Sequence, residues 1–351
     1  MKSVGIAGTA KNSGKTTTLS AILEELSLRN INLGLTSIGY DGERVDNVTG
    51  LPKPALTMLP GQWVATAARC LKQSSAKIRV VEETGILTPL GRLIIGQVER
   101  WGSIVLAGPN KSSELKWLLI RFKELGIKLG LVDGALNRLV PMAVTNGLIL
   151  ATGASRHQDV TTLAKETAVI NSICGLSRVE VGSFDNVGMI GSGSEIKQFN
   201  FRSILDNAQV DEMISEINYK TKKIIIPGII GEKQIDYLSN NISTWHGVNI
   251  VFANPLKLLV SADLTKLEDF IRKIRQTGGK IQVIHQVPLI SITVNPFYPR
   301  FRYQHSDYEP AYINAERLFS KIQEAVDVLV VNVQLHGAKK LVDNLIITLK
   351  L

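Results

Sequence analysis

Gly8-Thr9-Ala10-Lys11-Asn12-Ser13-Gly14-Lys15-Thr16-Thr17 follows a short apolar run, Val4-Gly5-Ile6-Ala7, and leads into Leu19, Ile22, Leu23 and Leu26 at helical spacing. The apolar run reads as a buried parallel strand, and the stripe after it as one face of a helix. Strand, glycine-containing loop and helix, in that order, form the setting in which a loop cradles phosphate groups. Backbone N–H groups of such a loop converge on phosphate oxygens, and the helix start adds unpaired donors and partial positive charge. The binding set is therefore Gly8, Lys11, Asn12, Ser13, Gly14, Lys15, Thr16 and Thr17. Lys15 is expected to reach the β- and γ-phosphates, and the Thr16 hydroxyl to ligate Mg²⁺.

Beyond the loop, strand and helix signals alternate through the first half. Leu33–Ile38, Lys77–Glu82, Ser103–Ala107, Leu129–Asp133 and Gly147–Ala151 read as strands; Trp63–Leu71 and Glu114–Leu125 read as helices. Alternation at this spacing predicts a mostly parallel, doubly wound α/β sheet with helices on both faces. The texture loosens near Gly188, Gly191 and Gly193, and then resumes with strands at 223–227, 248–252, 281–284, 289–294 and 328–333. Helices are expected at 232–238, 264–274 and 315–326. This predicts two domains: residues 1–182 holding the phosphate loop, and residues 183–351 as a second α/β domain for a partner or substrate. No second phosphate loop occurs there.

The 351 residues carry 44% hydrophobic and 20% charged residues, an ordinary balance for a folded soluble chain. The net charge of +9 is scattered, with Lys220–Lys223 and Arg300–Tyr303 its densest groups, so a solvated surface is favoured over nucleic-acid binding. Cys70 and Cys174 sit in apolar or helical settings and read as reduced core residues of a cytoplasmic protein. The start of the chain is a strand, not a charged leader, and apolar runs are strand-sized, so no membrane association is expected. The five histidines are dispersed, which supports neither a zinc site nor a histidine-based triad.

Mg²⁺ needs hard oxygen ligands besides Thr16. Asp133 ends an apolar strand, the position from which a carboxylate holds the metal directly or through water. Asp41, Glu43 and Asp46 follow the second strand, and ligands bind outside the carboxyl ends of parallel strands. Asp41 is the candidate second carboxylate or water-positioning group, balanced against a solvated turn. Glu82 and Glu83 form a further pair of which at most one can face the site, and Glu83 enters the metal set. The expected chemical machinery is thus Lys15, Asp41 and Asp133, with Thr16, Asp41, Asp133 and Glu83 around the metal. Lys53, between two prolines, could neutralise ligand charge or simply stiffen a loop. Arg138 reads as a surface residue. No Asn-Lys-x-Asp guanine reader stands in the expected place, so ATP is favoured over GTP.

Where the strict pattern has a glycine five residues before Gly14, this chain has Thr9, with Gly8 one place earlier. That form resembles the loop of dethiobiotin synthetase and its relatives, which share the fold of MinD-like and cobyrinate-amidase ATPases. A P-loop NTPase type of sheet is what this implies. Other segments are similar to a less familiar family: Leu35–Glu43 with Lys53-Pro54, Glu82–Thr88 with Gly91-Arg92, Leu106–Pro109, Val132–Arg138, Ile149–Ala154 and Asn295-Pro296-Phe297-Tyr298-Pro299. Together they resemble the P-loop subunit found with lysine 5,6-aminomutase and its ornithine counterpart, although Tyr40 stands where that family favours arginine. The resemblance implies an ATP-dependent reactivase for an adenosylcobalamin enzyme, acting beside a MutS-like ATPase. The alternative is a small-molecule ligase or kinase-like enzyme of the dethiobiotin synthetase or cobyrinate amidase type. A homodimer is kept open as an oligomeric state of the chain.

Overall fold

A computed structural model describes residues 1–41, 55–135, 138–193, 195–242 and 245–351, with Asp41 described in its backbone alone. Strand β1 (Lys2–Gly8) is buried from Ser3 onward, as a strand covered on both faces must be. Val4 and Ile6 point into a cluster with Leu19, Ile22 and Leu26 of helix α1 (Lys15–Ser27). On the opposite face Gly5 leaves room for Met142, whose Sδ would lie 2.7 Å from a Cβ at that position. After β2 (Leu33–Ser37) the structure departs from expectation. Residues 63–71 are not one helix: Trp63–Ala67 is a strand, β3, and only Ala68–Gln73 is helical. All five residues of β3 are buried, and its Trp, Val and Thr suit a pleated surface filled from both sides. The strand expected to end at Glu82 runs on as β4 (Lys77–Thr88), then turns into β5 (Gly91–Arg100). Helix α2 (Ser112–Glu124) and strands β6 (Leu129–Ala135) and β7 (Leu148–Gly153) stand where the alternation places them. Helix α3 (Val160–Cys174) occupies a stretch to which the sequence reading assigns no element.

The chain divides into two compact units, but not at residue 182. One unit joins Met1–Thr167 to Leu289–Leu351, and Ala168–Pro288 is inserted between those segments. The inserted unit is itself α/β. It contains β8 (Gly188–Gly191), β9 (Ile196–Gln198), α4 (Asn207–Ser215), β10 (Thr221–Ile226), α5 (Glu232–Asn241), β11 (Asn249–Phe252), α6 (Leu264–Gln276) and β12 (Ile281–Val283). Its five-stranded sheet has the order β9-β8-β10-β11-β12, with β10, β11 and β12 parallel and the first two strands antiparallel. Helix α4 begins with a complete capping box, Asp206 accepting from the Gln209 N–H while Gln209 reaches back to the Asp206 N–H. Phe252, Phe270 and Trp245 are the largest fully buried side chains in this unit.

The chain then returns to the first unit, which corrects the expectation that residues 289–351 belong to a second domain. β13 (Leu289–Asn295) is followed by the ribbon β14 (Phe297–Arg302) and β15 (Asp307–Tyr312). After these come α7 (Ala315–Ala325), β16 (Leu329–Val331), α8 (Val333–His336) and α9 (Lys339–Leu349). The resulting nine-stranded sheet has the order β16-β13-β7-β1-β6-β2-β3-β5-β4. Neighbours from β16 through β3 are parallel, whereas β5 is antiparallel to both β3 and β4. The loop that follows Gly8 thus leaves a central strand. Leu341, Leu345 and Leu349 of α9 complete the same core that α1 enters. Among the described residues no helix is long and apolar enough to cross a membrane.

Two expectations test this packing. A Cβ at Gly34 of β2 would lie 2.7 Å from Cε2 of Phe122, a fully buried ring of α2. Gly34→Ala should cost about 1–3 kcal/mol in urea unfolding, and clearly less in a Phe122→Leu background, because overpacking is relieved by a smaller neighbour. Equal costs in the two backgrounds would show that the close approach is unimportant. Both cysteines are free and buried; burial pushes the Cys174 thiol up to about 12 and raises that of Cys70 too. Neither should react with a thiol reagent at pH 8 in the native protein, and both should react once guanidinium unfolds it.

Candidate functional site

Geometry at the end of β1 follows from what each loop residue must do. The chain leaves the sheet at Gly8, where a Cβ would stand 2.6 Å from Ser13 Oγ, so the loop closes back on its own start. Thr9 is tied to β7 twice: its N–H donates to the Ala151 carbonyl at 2.9 Å, and its hydroxyl to Thr152 Oγ1 at 3.0 Å. This gives Thr9 a structural reason to stand where the strict pattern has glycine. Lys11 is exposed at the loop tip. Asn12 has φ 62° and Gly14 φ 90°, left-handed conformations that turn successive peptide groups toward one side. The Asn12 carbonyl accepts from Asn295 Nδ2 at 3.1 Å, and a Cβ on Gly14 would approach Asn295 Cβ to 2.9 Å. Gly14 therefore satisfies both a backbone and a space requirement.

Helix α1 starts on Gly14 with no side-chain cap and no acidic residue in its first turn. The opening turn of a helix without such a cap presents N–H donors and positive potential, the combination that attracts an anion. Ser13 Oγ is buried and has no hydrogen-bond partner among the described residues. A buried hydroxyl without a partner is uncommon, and an oxygen-rich ligand would satisfy it. Thr16 and Thr17 lie in the first turn of α1, both half-buried. Thr18, one residue deeper, donates its N–H to the Gly14 carbonyl and its hydroxyl shares a 2.7 Å hydrogen bond with Thr293 of β13.

The central charge pair of the site is Lys15–Asp133. Lys15 Nζ donates to Asp133 Oδ2 at 3.0 Å, with side-chain exposures of 15% and 2%. β6 lies beside β1 in parallel register, Ile6 opposite Asp133, which carries the carboxylate to the level of the loop. The fit to a magnesium polyphosphate rests on this donor set: one ammonium, the uncapped helix start, the Thr16 and Ser13 hydroxyls, and one carboxylate. Among the described residues no group of three His, Cys, Asp or Glu could hold a metal by itself. Mg²⁺ here would take oxygens from Thr16 and Asp133 together with those of the phosphates.

Other expected members are placed differently. Asp41 belongs to a two-residue strand, Tyr40–Asp41, antiparallel to Leu106–Ala107; its side chain, like Glu43, Asp46 and Lys53, lies outside the described residues. Glu83 is not brought to the loop. It sits in the middle of β4, the edge strand, five strand positions from β1, or roughly 24 Å at normal spacing. The polar run at 82–85 does not end a strand: pairing with β5 is interrupted between Glu83 and Leu87 and resumes at Leu87 and Thr88. Arg138 is exposed, and its guanidinium lies against Gly39, where a Cβ would come within 2.6 Å of Nη1.

Asn295 is the site residue that motif reading passed over. Besides holding Asn12, its carbonyl accepts from the Ala154 N–H at 3.0 Å, so one residue ties the loop at 8–15 to the ends of β7 and β13. Its only sequence signal is the Asn295-Pro296 pair after an apolar run. Thr293, Asn295 and Gln334 line a small cleft beside Gly14 and Thr17. No family model, curated protein or solved structure matches this chain.

The Lys15–Asp133 pair changes the outcome expected for a simple lysine deletion. Lys15→Ala removes the ion-pair partner of a nearly buried carboxylate and should cost about 1–3 kcal/mol of unfolding free energy. Adding Asp133→Asn should recover most of that loss. A double-mutant cycle by urea denaturation tests this coupling, and strictly additive losses would show that the two groups do not depend on each other.

Proposed function

We propose that this chain is a P-loop protein that binds ATP with Mg²⁺ and uses binding or hydrolysis to act on an adenosylcobalamin-dependent amino acid aminomutase as an accessory reactivase subunit. The observation that carries the nucleotide part is the meeting, at the end of a central strand, of an uncapped helix start, Lys15 and Asp133. The mostly parallel sheet is compatible with the P-loop NTPase type. In this reading the left-handed turns at Asn12 and Gly14 aim amides at phosphate oxygens, and Lys15 exchanges its carboxylate partner for phosphate. Asp133, with Thr16, would be among the residues that hold Mg²⁺. Bound Mg²⁺ would neutralise charge developing on the phosphates. Asp41, which follows the second strand in the sequence, remains the candidate second carboxylate.

The partner class comes from the sequence resemblance. A reactivase must convert nucleotide binding into a change in another protein, and a ligand can do so only through different affinities for two states. A MutS-like ATPase is the expected second component. Reduced, buried thiols suit a cytoplasmic setting for this activity.

The test uses the fold-repaired variant. Wild-type protein should bind a fluorescent ATP analogue in the presence of Mg²⁺, whereas Lys15→Ala/Asp133→Asn should lose about 100-fold or more in affinity. Unchanged affinity in that variant would falsify the phosphate-loop reading. Turnover should then rise on adding an inactivated aminomutase; ADP release driven instead by a small carboxylic or amine substrate alone would establish the ligase activity and remove the reactivase role.

A further inference from the structure

The inserted unit has a carboxyl edge of its own. Strands β10 and β11 end side by side, Ile226 opposite Phe252, and the chain leaves them through Pro227-Gly228 and Ala253-Asn254. Ligands of α/β sheets bind outside such strand ends. The turn after β10 is held firmly. Gly228 approaches residues 202–203 so closely that a Cβ there would collide with the Arg202 carbonyl and Ser203 Oγ. Ser203 Oγ accepts from the Ile229 N–H at 3.2 Å, and Ser261 Oγ from the Ile230 N–H at 3.2 Å. Lys257, in the short helix Pro255–Leu259 after β11, donates its ammonium to the Pro227 carbonyl.

Charge at this edge is one-sided. Lys257 is half-buried, and neither it nor Arg202 forms an ion pair among the described residues. Burial lowers the pKa of the Lys257 ammonium, and the neighbouring charge of Arg202 lowers it further. The acids of α5 are engaged elsewhere: Glu232 and Asp236 bind Lys266 at 2.8 and 2.7 Å. Neutral donors are also open here. Asn254 Oδ1 accepts from the Lys257 N–H at 3.1 Å, while its Nδ2 donates to no group among the described residues. Gly228 is buried, and its N–H likewise donates to no group among the described residues. A partly desolvated cation beside a second one is unfavourable until an anion joins them.

We infer that this edge of the inserted unit binds a phosphate group, with Lys257 and Arg202 as its counter-charges and Asn254 and the Gly228 N–H as neutral donors. A phosphate dianion balances both cations at once, whereas chloride or a single carboxylate leaves one of them uncompensated. Its oxygens are acceptors, which is what a donor set without a carboxylate requires. The ammonium keeps protons for a further acceptor besides Pro227, and a guanidinium offers a planar fork that matches two phosphate oxygens. Free phosphate and a phosphate monoester share this chemistry. The site belongs to the inserted unit alone and does not rest on the nucleotide reading of the loop at 8–15.

Equilibrium dialysis of radiolabelled inorganic phosphate against the full-length Lys15→Ala/Asp133→Asn chain tests this, because that background removes the charge pair of the other candidate site. About one equivalent should bind, with a dissociation constant of about 1 mM or below. Arg202→Gln and Lys257→Met, each added to that background, should weaken binding about tenfold or more, since each deletes a charge-assisted contact. Lys257→Arg, which keeps the charge, should lose less than Lys257→Met. Arg202 is exposed, so its variant reports on binding even where loss of Lys257 disturbs the fold. Glycerol phosphate that displaces the label at lower concentration than unlabelled phosphate assigns the site to a phosphate monoester, and the reverse order assigns it to the free ion; both uphold the site. No bound phosphate, or binding indifferent to both Arg202→Gln and Lys257→Met, would overturn the proposal.

Discussion

A single strand register governs the candidate site. β1 and β6 run parallel with Ile6 beside Asp133, and this places a nearly buried carboxylate within 3.0 Å of the lysine that opens α1. A slip of one residue would send Asp133 to the other face of the sheet and leave it among apolar side chains. The apolar neighbours Leu131 and Val132, both fully buried, hold the register because they cannot exchange faces cheaply. The pair in turn holds the loop. Lys15 is fixed at its tip by Asp133, Asn12 is held at its carbonyl by Asn295, and Thr9 is stitched to β7. Three separate strands thus constrain the loop between Gly8 and Lys15, and its backbone amides need little reorganisation to meet a ligand. Such preorganisation lowers the entropic cost of binding and raises the benefit of each donor.

The site's charges are also economical. The Lys15 ammonium and the Asp133 carboxylate satisfy each other, so neither charge is left uncompensated. Ser13 is the exception: its hydroxyl is buried without a partner among the described residues, the small local penalty of a surface built for something else.

Much of this is legible in the chain alone. The loop, its strand and its helix announce themselves because their signals are local: an apolar run of strand length, two glycines, a lysine and a periodic stripe. Asp133 is legible for the same reason, as a carboxylate closing the run Leu129–Val132. What is not legible is long-range. Trp63–Ala67 looks helical through its alanines, yet it is buried on both faces between strands, and tertiary packing overrides that preference. Glu83 looks like a strand-end carboxylate, and only the strand order shows how far from the loop it lies. Asn295 comes from the far side of an insertion, more than 280 residues from the carbonyl that it holds, and no spacing rule connects the two. The domain boundary escapes a linear reading because strand signals at 289–294 and 329–331 carry no mark of which sheet they will join.

The insertion also governs how the protein is made. A ribosome that has finished α3 has already produced the loop at 8–15, α1 and Asp133, yet β13, β16 and their helices do not exist. About 120 residues of the inserted unit must emerge first. At ordinary elongation rates that delay lasts roughly ten seconds, during which β7 has an open flank and Asn12 has no asparagine to hold it. A nascent chain at this stage is exposed to chaperones and to mispairing, and the loop at 8–15 gains its last tether only when the final stretch of polypeptide docks onto the first.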